Sequence, residues 1–205
     1  MNKLFAALVI PTSLLVSATA FAKEPSFYAS AAISYADQDY NFENINNYDY
    51  SDKAVGFNLT AGYQFNDYFS LEASYYDFGK AEAEHNPGPY LTYKGEAKAS
   101  ALGLAAVASY PVNDSFRVYG KLGAAYFTSD VSETTQIHVE DEFSFKNSDK
   151  DSGFAPYFGA GVALNVTGSS EVYLESSKFS YEASSDMGDY DHDVINTSLG
   201  YRMFF

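Results

Sequence analysis

Apolar and polar residues alternate with a period of two along most of this chain. The last stretch shows the pattern most clearly. Ile195, Thr197, Leu199, Tyr201, Met203 and Phe205 form one mostly apolar face. Asn196, Ser198, Gly200 and Arg202 form a small polar face, with Phe204 its one apolar member. Period two belongs to strands, not helices. An apolar outside against a polar inside fits a transmembrane β-strand, although a soluble sandwich strand alternates in the same way.

The same pattern predicts seven earlier strands. Phe27 to Ala36 is the first and is short. Ala54 to Phe65 sets Val55, Phe57, Leu59, Ala61, Tyr63 and Phe65 against Gly56, Asn58, Thr60, Gly62 and Gln64. Tyr68 to Phe78 sets Phe69, Leu71, Ala73 and Tyr75 against Ser70, Glu72 and Ser74. Glu96 to Val112 is rich in small residues and its faces are less distinct. Ser115 to Phe127 sets Phe116, Val118, Leu122 and Tyr126 against Arg117, Tyr119 and Lys121. Gly153 to Val166 presents Phe154, Phe158, Ala160, Val162 and Leu164 or their neighbours outward, with Pro156 demoting that end to a strand start or bulge. Glu171 to Tyr181 sets Val172 and Leu174 against Glu171, Tyr173 and Glu175.

The connections decide between sandwich and barrel. Three are short turns, at Asn66-Asp67, Asn113-Asp114 and Thr167-Gly168-Ser169, and the first two begin equivalent Asn-Asp-x-Phe motifs. Four are long: 37–53, 79–95, 128–152 and 182–193. Short and long alternate strictly, as periplasmic turns and extracellular loops do in an outer-membrane barrel. The predicted class is therefore all-β: a single eight-stranded antiparallel up-and-down transmembrane β-barrel.

Residues 1–22 read as a secretory signal peptide. Lys3 supplies the positive start, Leu4 to Val16 is mostly apolar, and Ala20-Phe21-Ala22 is a small-x-small cleavage site. Residues 23–205 are then the barrel domain. The absence of cysteine excludes disulfides and Cys-based metal sites or nucleophiles. The formal charge of −15 argues against nucleic acid and heparin-like partners, which need a basic face. The chain has 19 Tyr and 17 Phe but no Trp, so a membrane-interface girdle would rest on tyrosine alone.

Two stretches carry a family resemblance. They are the hairpin from Ala61-Gly62-Tyr63-Gln64-Phe65-Asn66-Asp67 through Ser70-Leu71-Glu72-Ala73-Ser74-Tyr75-Tyr76-Asp77-Phe78-Gly79, and Pro156-Tyr157-Phe158-Gly159-Ala160-Gly161-Val162. The chain from Phe27 to Phe205 resembles the OmpA-like and OmpX-like eight-stranded outer-membrane barrels. The resemblance covers the barrel only, without the peptidoglycan-binding domain of long OmpA-type proteins, and so implies no cell-wall tether. It implies residence in the outer membrane of a Gram-negative bacterium and an interior network of charges. It also implies that the C-terminal strand ending in Phe205 engages the barrel assembly machinery.

The inward faces carry charges of both signs: Glu72, Arg117, Lys121, Glu171, Glu175 and Arg202. Lone charges in a barrel are costly and should pair. The expected pairing brings Arg117 or Lys121 close to Glu72 and Glu175. Eight strands leave an interior just wide enough for side chains, so the network is expected to act as a structural plug. The rival is a narrow porin-like channel through the same charges.

Of 27 Asp and Glu residues, 20 fall in the four long loops when Glu96 is included. These loops would face anionic lipopolysaccharide, and divalent cations could bridge the two. The simpler expectation is solubility and repulsion of other anionic partners. His85, His138 and His192 all fall in predicted loops, and none has a nucleophile at a recognisable spacing. An enzyme is therefore not expected, nor a cofactor or a specific metal site.

Overall fold

The computed structural model describes residues 25–42, 50–88, 91–137, 143–185 and 188–205. The signal-peptide reading lies outside these residues. Eight strands form a closed antiparallel barrel in sequence order: β1 (Ser26–Phe42), β2 (Tyr50–Gln64), β3 (Phe69–Gly88), β4 (Leu91–Asn113), β5 (Phe116–Ile137), β6 (Phe143–Thr167), β7 (Ser170–Ser185) and β8 (Gly188–Phe204). Closure is by β8 on β1, with register running from Tyr28↔Phe204 to Phe42↔Tyr190. The Phe205 N–H continues it by donating to the Phe27 carbonyl at 2.9 Å.

Alternation sets the two faces. Ile33, Val55, Leu59, Leu102, Leu122, Phe154, Leu174 and Leu199 are exposed on the outside, where a soluble protein would pay for their contact with water. Ser34, Asn58, Glu72, Lys121, Glu175, Asn196 and Arg202 are buried inside. Around Pro156 the alternation holds: Ala155 and Tyr157 point inward and Phe154 and Phe158 outward. Pro156 lies one residue beyond the last β6–β7 pair, Tyr157↔Phe179, where β6 has β5 as its ladder partner. An edge of this kind tolerates a missing N–H.

The two Asn-Asp-x-Phe turns share one geometry. Asn66 Oδ1 accepts the N–H groups of Tyr68 and Phe69 at 2.9 Å each, and Asn113 Oδ1 accepts those of Ser115 and Phe116 at the same distance. The side chain satisfies donors that a two-strand turn leaves open, which is why Asn recurs there.

At the opposite end the structure corrects the predicted long loops. Strands β3 to β6 run 20, 23, 22 and 25 residues, about twice the roughly 9–11 needed to cross a bilayer. Most of 37–53, 79–95, 128–152 and 182–193 is paired strand. His85 stands on β3 and His192 on β8, while His138 lies outside the described residues. Hydrophobic alternation stops where lipid contact stops, but backbone pairing does not need an apolar face and continues into water.

The wall divides as it leaves the apolar zone. β2 and β3 pair from Gln64↔Ser70 only as far as Phe57↔Asp77, and β6 and β7 from Thr167↔Ser170 only as far as Tyr157↔Phe179. Beyond these points the strands continue as two four-stranded sheets, β7–β8–β1–β2 and β3–β4–β5–β6. Gly79 marks the first parting. It has φ +81° within a bulge between Asp77 and Lys80, and its N–H donates to Asp77 Oδ1 at 2.8 Å. A Cβ there would stand 2.3 Å from the Val55 carbonyl oxygen. Gly79→Ala is expected to cost about 1–2 kcal/mol from the left-handed backbone alone. A urea midpoint unchanged from wild type would show that the bulge relaxes freely.

Candidate functional site: the charged interior

Each of the six predicted charges is delivered to the lumen by strand parity. Glu72 lies on β3, Arg117 and Lys121 on β5, Glu171 and Glu175 on β7, and Arg202 on β8. Residues two or four apart on one strand share a face, so β5 and β7 each offer two charges at successive heights.

The side chains meet as an alternating chain. Arg117 Nη2 lies 2.6 Å from Glu171 Oε2, which is 3.5 Å from Arg202 Nη1. Arg202 Nη2 lies 3.0 Å from Glu72 Oε1. Glu72 Oε2 is 3.6 Å from Lys121 Nζ, which reaches Glu175 Oε1 at 2.6 Å. Lys121 thus joins Glu72 to Glu175, while Arg117 pairs with Glu171 and not with the expected Glu72 or Glu175. Three cations and three carboxylates balance, and the chain links the β3 wall to β5, β7 and β8. Neutrality and close contact offset the cost of burying these charges.

Tyrosines complete the network. Tyr28 Oη donates to Glu72 Oε1 at 2.9 Å, Tyr119 Oη to Glu175 Oε2 at 3.1 Å, and Lys121 Nζ to Tyr76 Oη at 3.0 Å. The Arg202 guanidinium carbon lies 4.8 Å from the Tyr28 ring centroid and 4.9 Å from that of Tyr173, the range of cation–π attraction. The Nε atoms of Arg117 and Arg202 have no hydrogen-bond partner.

A second layer lies on the side of the network towards the parted sheets. Tyr76, Phe78, Phe127, Tyr157, Phe179 and Tyr181 fill the lumen there. Tyr157 stacks on Phe179 with centroids 4.8 Å apart, and Phe78 meets Phe179 edge-on at 5.1 Å. The tyrosines are divided between the two faces: Tyr28, Tyr76, Tyr119, Tyr157, Tyr173 and Tyr181 are buried inside, while Tyr35, Tyr68, Tyr75, Tyr110, Tyr126 and Tyr201 are exposed on the outside. Alternation already places Tyr119 between Arg117 and Lys121 and Tyr173 between Glu171 and Glu175. The signal for the aromatic layer was the same parity carried four residues further, from Glu72 to Tyr76 and from Glu175 to Phe179.

Glycines on neighbouring strands make room for these rings. Tyr28↔Gly62, Tyr119↔Gly161, Tyr157↔Gly123 and Tyr173↔Gly200 are direct register pairs. A Cβ at each of these glycines would come within 2.1–2.7 Å of its tyrosine ring. The rings lie across bare backbone, an arrangement that fixes aromatic side chains against a curved wall.

A closed barrel with an apolar exterior, a charged interior and short turns at one end is the architecture of an outer-membrane protein. Residues 8–202 match the family described as outer membrane protein beta-barrel domain, and the chain belongs to it. It is 25% identical over 198 residues to outer membrane protein A of Klebsiella aerogenes, covering 90% of this chain and 50% of that protein. The chain thus spans about half the length of this curated relative. Among solved structures it resembles Neisserial surface protein A at 16% identity and TM-score 0.58, covering 89% of this chain and 100% of that one. It also resembles OprG from Pseudomonas aeruginosa at 14% identity and TM-score 0.53, covering 89% and 97%. Ail of Yersinia pestis, in complex with the heparin analogue sucrose octasulfate, aligns at 19% identity and TM-score 0.51, covering 88% and 100%. At these identities the likeness is one of fold. The bacterial outer membrane is where this chain resides.

Proposed function

We propose that this chain is a non-conducting surface barrel. It would support the envelope and present its extracellular sheets and loops for contact. The observation that carries this reading is the lumen: six charges linked in an alternating chain, followed by a packed aromatic layer. An ion would have to displace paired charges and then pass a layer filled by aromatic rings, and each step is costly.

The extracellular end is acidic and faces a lipid surface that is itself anionic. Divalent cations between carboxylates and lipopolysaccharide are one way to hold the two together. The Ail structure contains a heparin analogue, but the −15 charge of this chain argues against a sulfated polysaccharide as its ligand. The C-terminal strand ending in Phe205 is the segment proposed to engage the assembly machinery.

The second reading, a narrow pore, draws on the unpartnered Nε atoms of Arg117 and Arg202, which a hydrated path would satisfy. Planar-bilayer recording of the refolded protein separates the two. Insertion without discrete steps supports the closed barrel. Reproducible steps that change with Glu72→Gln would make the interior a conduction path.

A further inference from the structure

Outward residues on β3–β6 form three successive rows. Tyr75, Leu102, Tyr126 and Phe154 are cross-strand neighbours and make an exposed apolar row. One step outward lie Asp77, Ser100, Thr128 and Ser152, and the next row is Lys80, Lys98, Asp130 and Lys150. The lysine row stands four residues beyond the apolar row on β4, roughly 13 Å along the strand and less along the membrane normal because barrel strands tilt. Apolar, then hydroxyl, then cationic is the order in which a bilayer presents acyl chains, linkage groups and phosphates.

The third row contains an unfavourable pair. Lys80 and Lys98 are directly opposed, and like charges at such positions repel. The nearby carboxylates are engaged elsewhere. Glu96 lies 2.6 Å from Lys80, Asp130 lies 3.0 Å from Lys150, and Asp77 Oδ1 accepts the Gly79 N–H at 2.8 Å. Among the described residues Lys98 has no carboxylate partner. It borders a concavity of about 420 Å³ lined by Tyr75, Lys80, Ser100 and Thr128 and by the two engaged carboxylates Asp77 and Asp130, the latter directly across the ladder from Lys98. Lys53 and Lys178 on the other sheet are each paired, with Asp37 at 3.7 Å and Asp193 at 2.7 Å. The turns at the opposite end, 65–68, 114–115 and 168–169, contain no Lys or Arg. Among the described residues, outward cations thus face one leaflet only.

We propose that the concavity on the outer face of β3–β5 binds a phosphate of the outer-leaflet glycolipid. Lys98 is its principal contact, Lys80 flanks it, and no bridging divalent cation is needed. A phosphate between the two lysines turns their repulsion into two charge-assisted contacts. The acyl chains then run down over Leu102 and Tyr126. This inference rests on the proposed surface role only through the orientation of the barrel. Conductance steps would sink the closed-barrel reading and leave this one standing.

The test uses the refolded full barrel in detergent with EDTA present, titrated with bisphosphorylated lipid A, dephosphorylated lipid A and inorganic phosphate. Phosphorylated lipid A is expected to bind most tightly. Lys98→Gln should weaken it about tenfold, the loss of one charged hydrogen bond. Lys98→Arg should retain binding, and Lys178→Gln should change it less than twofold. Lys98 is exposed, so its variants should keep the heat-modifiable migration of the folded barrel. Equal binding of both lipids, an unchanged Lys98→Gln, or binding abolished by EDTA would overturn the proposal. Inorganic phosphate competing at concentrations equal to the lipid would overturn the assignment to lipid.

Discussion

Glu72→Ala is expected to lower the stability of the folded barrel by about 3–5 kcal/mol, the cost of breaking a buried ion pair by removing one partner. Glu72 is 1% exposed and touches Arg202 at 3.0 Å, Lys121 at 3.6 Å and the Tyr28 hydroxyl at 2.9 Å. Without it, the three lumen cations share two carboxylates. Lys121 keeps Glu175 at 2.6 Å, but Arg202 is left with Glu171 at 3.5 Å and an Nε already without a partner. The loss should appear as a lower urea midpoint for barrels in lipid vesicles. Far-UV circular dichroism should follow it, because the chain has no tryptophan to report by fluorescence. Glu72→Ala combined with Arg202→Ala should cost less than the sum of the single changes, since the pair acts as a unit. A loss below about 1 kcal/mol, the range of exposed pairs, would mean that water screens these charges. The lumen would then be hydrated.

Gly123→Val is expected to destabilise by about 1–3 kcal/mol through overpacking. A Cβ at Gly123 would meet the Leu104 carbonyl oxygen at 2.3 Å, the Tyr157 ring at 2.7 Å and the Ala105 Cβ at 2.9 Å. Tyr157 cannot retreat easily, because it is fully buried and stacked on Phe179. Gly120 on the same strand is the control. A Cβ there would find its nearest neighbour, the Gly159 carbonyl oxygen, at 3.7 Å, and Gly120→Val should stay within about 0.5 kcal/mol of wild type. Equal urea midpoints for the two variants would show that the ring-over-glycine contacts contribute little.

The two predictions concern neighbouring layers of one lumen. The charged layer closes it by pairing, and the aromatic layer by volume. Tyr76 belongs to both, accepting a hydrogen bond from Lys121 and meeting Phe179 at 5.0 Å. A variant that loosens one layer should therefore be felt in the other.

Alternation by itself determined the strand count, the outward set such as Val55, Leu122, Leu199 and Phe205, and the inward parity of all six charges. The reason is geometric: a strand has two faces, and a membrane barrel gives them opposite solvents. The alternation of short and long connections fixed the up-and-down order, and the repeated Asn66 and Asn113 located two turns whose side-chain hydrogen bonds are local. What alternation could not give was anything set by stagger between distant strands. Parity says that Arg117, Glu171 and Arg202 point inward. Only the register of β5, β7 and β8 puts Arg117 on Glu171 and leaves Lys121 to join Glu72 to Glu175. The strand ends were misplaced for a related reason. The pattern fades where lipid contact ends near Phe78, Phe127 and Gly153, yet backbone hydrogen bonds extend the sheets well beyond. The tyrosines were divided between girdle and core by tertiary structure, because a phenol suits either place. For Tyr28, Tyr119, Tyr157 and Tyr173 a glycine on the neighbouring strand makes the inward place possible, by leaving room for the ring.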